Sequence, residues 1–362
     1  MSTVFFTGFP GFLGVELLPR VLRRSPEDRA VCLVQPKFAA LAAQRAGELC
    51  ARDPGLEGRI QLVEGDITVP DLGLDDPAAG AAEVSEVWHL AAVYDLDVPR
   101  EVGLRVNVEG TRNVLDFAER ARGLRRFQYV STCYVSGRHA GAFAETDLDR
   151  GQSFNNAYEE TKFLAEVEVQ VRRANGMPTT IYRPAIVVGD STTGATQKYD
   201  GPYFVLQWLL RQPRLAIMPV IGDPRAHRLN VVPRDFVVSA IAELGAGERG
   251  RQRIYQLADP DPLSVSDVLD EMARATGRRL LRVPLPAGLA KLAIDHMPGV
   301  SRLLRIPSSA IDYFVHPTRY LTTNAEADLA SSGVVCPRLP SYLPALVRFM
   351  REHPDITPAA MR

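Results

Sequence analysis

The chain has almost no excess of either charge. Its 362 residues carry 42 Lys and Arg against 43 Asp and Glu, a net charge of −1. So balanced a surface offers no electrostatic footprint for nucleic acid, whose binding rests on neutralised phosphates. Cysteine is scarce as well. Cys32, Cys50, Cys133 and Cys336 share no metal-ligand or paired spacing, which excludes a zinc site or a disulfide framework as the organising principle. Reduced, mostly buried thiols in a cytoplasmic protein are the expectation. No apolar run approaches the ~20 residues that a helix needs to cross a bilayer. The first strand is read almost at Met1, so no signal peptide is expected. Internal repeats and low-complexity segments are absent too. A soluble intracellular protein is expected, long enough for one full core with a smaller lobe.

What the chain does have is alternation. Apolar runs at Val4–Thr7, Ala30–Val34, Ile60–Glu64, Val84–Leu90, Arg126–Ser131 and Thr179–Val188 read as strands. Between them, Gly11–Arg24, Ala39–Arg52, Val98–Arg122 and Tyr158–Asn175 have helical composition. Continuous Val/Leu/Ile-rich strands separated by amphipathic helices predict an α/β fold, a doubly wound parallel sheet buried on both faces. After Gly189 the alternation stops, with only a short helical piece near Tyr203–Arg211. It resumes as a strand at Leu229–Val232, a helix at Asp235–Leu244 and a strand at Arg253–Leu257. Ser264 reads as the N-cap of a helix ending before Gly277, and a last helix is expected over Tyr342–Glu352.

Residues 7–14 read Thr-Gly-Phe-Pro-Gly-Phe-Leu-Gly, between the first strand and the first helix. Such a turn lets backbone approach a phosphate and aims helix N-terminal amides at its charge. The spacing Gly8, Gly11, Gly14 departs from the Gly-x-Gly-xx-Gly fingerprint by one extra residue between its first two glycines, so it asks for corroboration. Tyr158 and Lys162 supply it. Four residues apart, they share one helix face, where an ammonium near a phenol favours phenolate and suits acid–base work. The expected division is a Rossmann dinucleotide-binding domain over residues 1–190 and 229–258, with a substrate-binding lobe over 191–228 and 259–362.

Strand 5 ends in Tyr129-Val-Ser-Thr132, strand 4 in His89-Leu-Ala-Ala92 and strand 6 in Tyr182-Arg-Pro184, with Asn107-Val-Glu-Gly-Thr111 on the helix between. With these in order, residues 3–258 resemble the extended short-chain dehydrogenase/reductase family. The resemblance makes Thr132 the catalytic hydroxyl, with Ser131 the alternative, and Tyr158 the proton donor. It gives Lys162 the nicotinamide ribose and the tuning of the tyrosine, and makes Asn107 a prop for the helix or a water relay. The dinucleotide would rest on Gly8, Phe9, Gly11, Phe12, Leu13 and Gly14, on Leu90, Ala91 and Ala92, and on Pro184 and Val187. Asp66, followed by Ile67, would meet the adenine or else cap a turn. At the end of strand 2, Val34-Gln-Pro-Lys37 offers a cation and no acid. That favours NADP(H), Lys37 facing a 2′-phosphate, with NAD(H) the alternative.

The strings Gly65–Leu74, His89–Leu96, Val130–Val135 and Tyr182–Ser191 resemble the branch of fatty acyl-CoA reductases and thioester-reductase domains. The branch implies reduction of an acyl thioester, as acyl-CoA or on a carrier protein, to aldehyde and in some members alcohol. The alternatives are a ketone or alcohol such as a hydroxysteroid, a nucleotide sugar gripped by Arg225, Arg228 and Arg234, or a non-catalytic dinucleotide sensor. Leu285–Ile294 and Val300–Ile306 are apolar stretches suited to core packing, to lining an acyl channel or to peripheral membrane contact.

Overall fold

A computed structural model describes residues 2–285 and 312–357. Its strands are β1 (Thr3–Thr7), β2 (Arg29–Val34), β3 (Ile60–Glu64), β4 (Val84–His89), β5 (Arg126–Val130), β6 (Gly141–Phe143) and β7 (Thr179–Pro184). They continue as β8 (Ile186–Val188), β9 (Leu215–Ile221), β10 (Val231–Pro233), β11 (Ile254–Leu257), β12 (Arg279–Leu285) and β13 (Thr318–Tyr320). The helices are α1 (Gly14–Leu22), α2 (Ala39–Arg52), α3 (Pro77–Ala82), α4 (Arg100–Gly103), α5 (Gly110–Glu119) and α6 (Ala157–Ala174). After them come α7 (Pro202–Arg211), α8 (Arg234–Ala246), α9 (Val265–Thr276), α10 (Thr323–Leu329) and α11 (Leu339–Glu352).

Seven strands form one parallel sheet in the order β3-β2-β1-β4-β5-β7-β11, the doubly wound arrangement expected. The two-residue period of a strand explains why it is covered on both faces. Along β1, every residue is buried. Val4 and Phe6 join the core that includes Leu17 and Leu18 of α1 and Val237 and Ile241 of α8. Phe5 points the other way, into the core of α5 and α6, where its ring lies 4.4 Å from that of Phe117. An aromatic side chain so enclosed contributes about 2–3 kcal/mol by leaving water.

The run Thr179–Val188 is not one strand. Pro184 ends β7, which pairs with β5 and β11, whereas β8 turns away to pair with β10. The helix expected over Val98–Arg122 is also divided: a wide π-helical turn, Leu104–Glu109, separates α4 from α5. A second core gathers around α7, α9 and α11, including Tyr203, Leu209, Leu269, Met272, Tyr342 and Leu346. There Ser264 caps α9 by accepting from Asp267 N, and Gly277 closes it in the left-handed conformation. Two parallel pairs had no counterpart in the sequence reading, β9 with β12 and β6 with β13. The buried Glu145 carboxylate accepts from Asn324 N and Ala325 N, fixing the start of α10. No helix among the described residues is long and apolar enough to cross a membrane. Apart from the backbone of Leu285, which ends β12, the apolar stretches 285–294 and 300–306 lie outside the described residues.

Candidate active site

The glycine turn folds back on itself at the carboxyl end of β1. Gly8 has φ +90°, and a Cβ there would come within 2.8 Å of the Leu90 and Ala91 backbone. The Gly11 N–H donates to the Gly8 carbonyl at 2.9 Å. That same oxygen would stand 2.7 Å from a Cβ on Gly11 and 2.4 Å from one on Gly14. These clashes leave no room for side chains and keep the turn as bare backbone at the start of α1, the form a dinucleotide diphosphate needs. Phe9 is buried, Leu13 precedes α1, and the Arg234 guanidinium lies 5.1 Å from the centre of the Phe12 ring. The half-buried Leu90, Ala91 and Ala92 run alongside.

At the end of β2, Gln35 Nε2 donates to Asp66 Oδ2 at 2.8 Å, and Thr68 N donates to Asp66 Oδ1 at 2.8 Å. Asp66 thus caps its own turn and binds Gln35. The exposed Lys37 carries its ammonium 5.0 Å from the Phe38 ring centre. Ile67 is buried against Gly110, where an added Cβ would meet its side chain at 2.8 Å.

Across the sheet, Asn156 caps α6 by accepting from Glu159 N at 3.0 Å, which sets Tyr158 and Lys162 at the helix start beside the end of β5. Thr132, just past β5, neighbours the Tyr158 phenol and acts to lower its pKa. Its hydroxyl also accepts from Tyr134 N at 3.2 Å and lies 3.4 Å from the Pro184 carbonyl. Neighbouring Ser131 faces elsewhere: its hydroxyl donates to Glu166 at 2.5 Å. Burial pushes the Tyr158 phenol up to about 12 against the pull of Thr132, with Glu159, Asp200 and Tyr94 adding to the rise. The expected lowering by Lys162 is not what this geometry gives. Lys162 donates instead to the Tyr129 hydroxyl and the Val130 carbonyl, both at 3.0 Å. Burial lowers its ammonium to about 7, while Glu166 acts to raise it.

Further contacts hold this arrangement. Asn107, in the wide turn, accepts from Val93 N at 2.9 Å and donates to Thr161 Oγ1 at 3.0 Å, joining the loop after β4 to α6. Glu166 and Arg183 form a fully buried ion pair at 2.5 Å, with Arg183 Nη2 also donating to the Asp147 carbonyl at 2.8 Å. Val187, in β8, is half-buried next to the end of β7. On the opposite side, the Lys198 ammonium lies 4.0 Å from the Tyr94 ring centre and is paired with Asp200. Arg225, Arg228 and Arg234 do not converge into one grip: Arg228 donates to the Pro262 carbonyl, and Arg234 serves Phe12 and Glu16.

The loop carrying Lys198 is fastened to α11. Gly194 has φ +78°, and a Cβ there would meet the Ala345 carbonyl at 2.2 Å. Arg348 donates to the Thr192 carbonyl and Tyr199 to that of His353, at 3.1 and 2.9 Å. Sequence reasoning missed Tyr129, Glu166, Tyr94, Lys198 and Asp200. Only Glu166 left a signal, standing one helical turn beyond Lys162.

Residues 6–241 match the family described as male sterility protein, a family of NAD-binding domains. The glycine betaine reductase ATRR of Emericella nidulans is 29% identical over 288 residues, covering 75% of this chain and 22% of that protein. The fatty acyl-CoA reductase wat of Drosophila melanogaster is 26% identical over 278 residues, covering 66% of this chain and 53% of that one. The chain therefore spans between about a fifth and a half of these two relatives. Among solved structures, the terminal R domain of the myxalamid PKS-NRPS biosynthetic pathway superposes with a TM-score of 0.81 at 26% identity. That superposition covers 99% of this chain and 92% of the R domain. With its glycine turn, its doubly wound sheet and a family match over about two thirds of its length, this chain belongs to the male sterility protein family of NAD-binding domains.

Proposed function

We propose that this protein reduces an acyl thioester, as acyl-CoA or on a carrier protein, to the aldehyde, using NADPH. The observation that carries the chemistry is the Thr132–Tyr158 pair at the end of β5, across from the glycine turn. The cofactor, when bound, supplies the hydride. Thr132 and Tyr158 then share the carbonyl oxygen as charge develops on it, two donors preset in a water-poor site. Tyr158 keeps its proton until that moment, because a phenol held at about 12 is protonated at neutral pH. It gives the proton to the oxygen, and the hemithioacetal collapses to aldehyde and free thiol. Lys162 holds the ribose end of the nucleotide, and Asn107 fixes α6 beneath it.

Support for a thioester comes from relatives named as a fatty acyl-CoA reductase and a terminal R domain of an assembly line. The choice of NADPH rests on Lys37 and on Gln35 standing where an NAD enzyme places an acid. The second core, with the 190–200 loop, serves as the substrate lobe in this reading. The test is NADPH oxidation against acyl-CoAs, acyl-carrier thioesters, ketones and nucleotide sugars, with free thiol and aldehyde measured together. Thiol release in step with NADPH loss is the expected result, and Thr132→Ala should slow it about 100-fold with little change in thioester affinity. Turnover of a ketone or nucleotide sugar, with none of any thioester, would refute the thioester reading.

A further inference from the structure

Lys162 does not stand alone. It opens a line of buried polar side chains that ends at the glycine turn. Its ammonium donates to the Tyr129 hydroxyl at 3.0 Å and lies 4.6 Å from the centre of the same ring. The Tyr129 hydroxyl neighbours Thr111, which acts to lower its pKa, and Thr111 Oγ1 lies 3.0 Å from His89 Nε2. His89 stacks on Tyr129 with ring centres 5.6 Å apart, and its Nδ1 lies 2.8 Å from Thr7 Oγ1. Thr7 precedes Gly8 and accepts from Ala91 N at 3.2 Å. Lys162 is 3% exposed, and Thr7, His89, Thr111 and Tyr129 are each at 1% or below.

Five buried polar side chains from five elements satisfy one another here, where each unmade bond would cost about 1–3 kcal/mol. The count of donors gives the line its meaning. A lysine ammonium has three N–H groups. Tyr129 and Val130 take two, leaving one for an outside acceptor. The charged and titratable groups facing this ammonium are Glu166 on its own helix, His89 from β4 and Tyr129 from β5.

We infer that Tyr129 is a positioning residue: held by Thr111, His89 and Thr7, it orients the Lys162 ammonium so that its one remaining donor serves the cofactor ribose. This rests on the cofactor role proposed above for Lys162. It also means that the glycine turn and the lysine are set by one continuous unit of buried polar side chains.

The test is Tyr129→Phe, which keeps the ring and removes the hydroxyl. NADPH affinity would be measured by nucleotide fluorescence, and kcat/KM for NADPH across pH, with thermal unfolding as the fold control. Loss of an acceptor disfavours the charged amine, so the alkaline limb should move down by about one pH unit. NADPH affinity should fall about tenfold. Thr111→Val, which loosens Tyr129 without touching Lys162, should shift both readouts the same way by less, and it decides the matter if Tyr129→Phe does not fold. An unchanged limb and affinity in these variants, while Lys162→Ala loses NADPH, would overturn the role of Tyr129 alone. Full NADPH affinity in Lys162→Ala would overturn both it and the reading on which it rests.

Discussion

Two lysines flank the site in opposite ways. Lys162 is enclosed by the sheet and donates to uncharged acceptors, the Tyr129 hydroxyl and the Val130 carbonyl. Lys198 rests on a loop, paired with the Asp200 carboxylate and lying over Tyr94, its side chain 15% exposed. The first sits where strands and helices leave no alternative geometry. The second is placed by its loop, so its position follows that loop and the helix α11 that holds it. In the proposed reading the cofactor side is then preorganised and the acceptor side adjustable, as would suit a fold that keeps one hydride donor while acceptors vary.

The hardest blow to the fixed side should be Tyr158→Phe. Turnover should drop at least about 1,000-fold, roughly 4 kcal/mol of transition-state stabilisation, while NADPH still binds. Steady-state rates and nucleotide titration on the same preparation check both halves of that statement. Next comes Glu166→Gln, which leaves Arg183 buried without its counter-ion and should cost about 3 kcal/mol of stability, read by denaturant unfolding. Its pH dependence has a defined sign. Burial alone would raise the Glu166 carboxyl, but Arg183 and the hydrogen bonds from Ser131 and Gln170 outweigh it and hold the group low. The stability so gained is present above the unfolded carboxylate pKa of about 4.3 and lost as pH falls, so the gap between wild type and variant should narrow in acid.

Lys37→Ala is smaller, a loss of about tenfold in preference for NADPH over NADH, measured as the ratio of the two affinities. The smallest is expected on the adjustable side. Lys198→Gln should change the acceptor KM by about two- to fivefold and leave NADPH affinity as it is. A large fall in NADPH affinity instead would remove the distinction between the two sides.

The same contrast explains what the sequence disclosed. The sheet strands and α6 were legible because burial on both faces and amphipathic spacing leave a local pattern, and Tyr158 with Lys162 announced itself at helical spacing. Pro184 marks the end of β7, but nothing local marks the partner taken next, so the run through it read as one strand although β8 joins β10. The pairing of β9 with β12 joins residues 64 apart, Leu215 with Arg279, in a stretch with Pro219 and Pro284, where propensity argues against strands. Tyr129 stands in an apolar strand with no local sign of a polar role. Its hydroxyl gains a purpose only when α6 folds over it.

Gly194 turns the adjustable side into something the last helix can tune from a distance. Because its backbone presses on the Ala345 carbonyl, no slack separates α11 from the loop bearing Lys198 and Asp200. A bulkier or smaller residue at the neighbouring Leu346 or Phe349 would shift that helix and carry the loop with it, as a rudder is moved from the tiller. Variation confined to α11 can thus reshape the acceptor side and leave Thr132, Tyr158 and Lys162 where they stand.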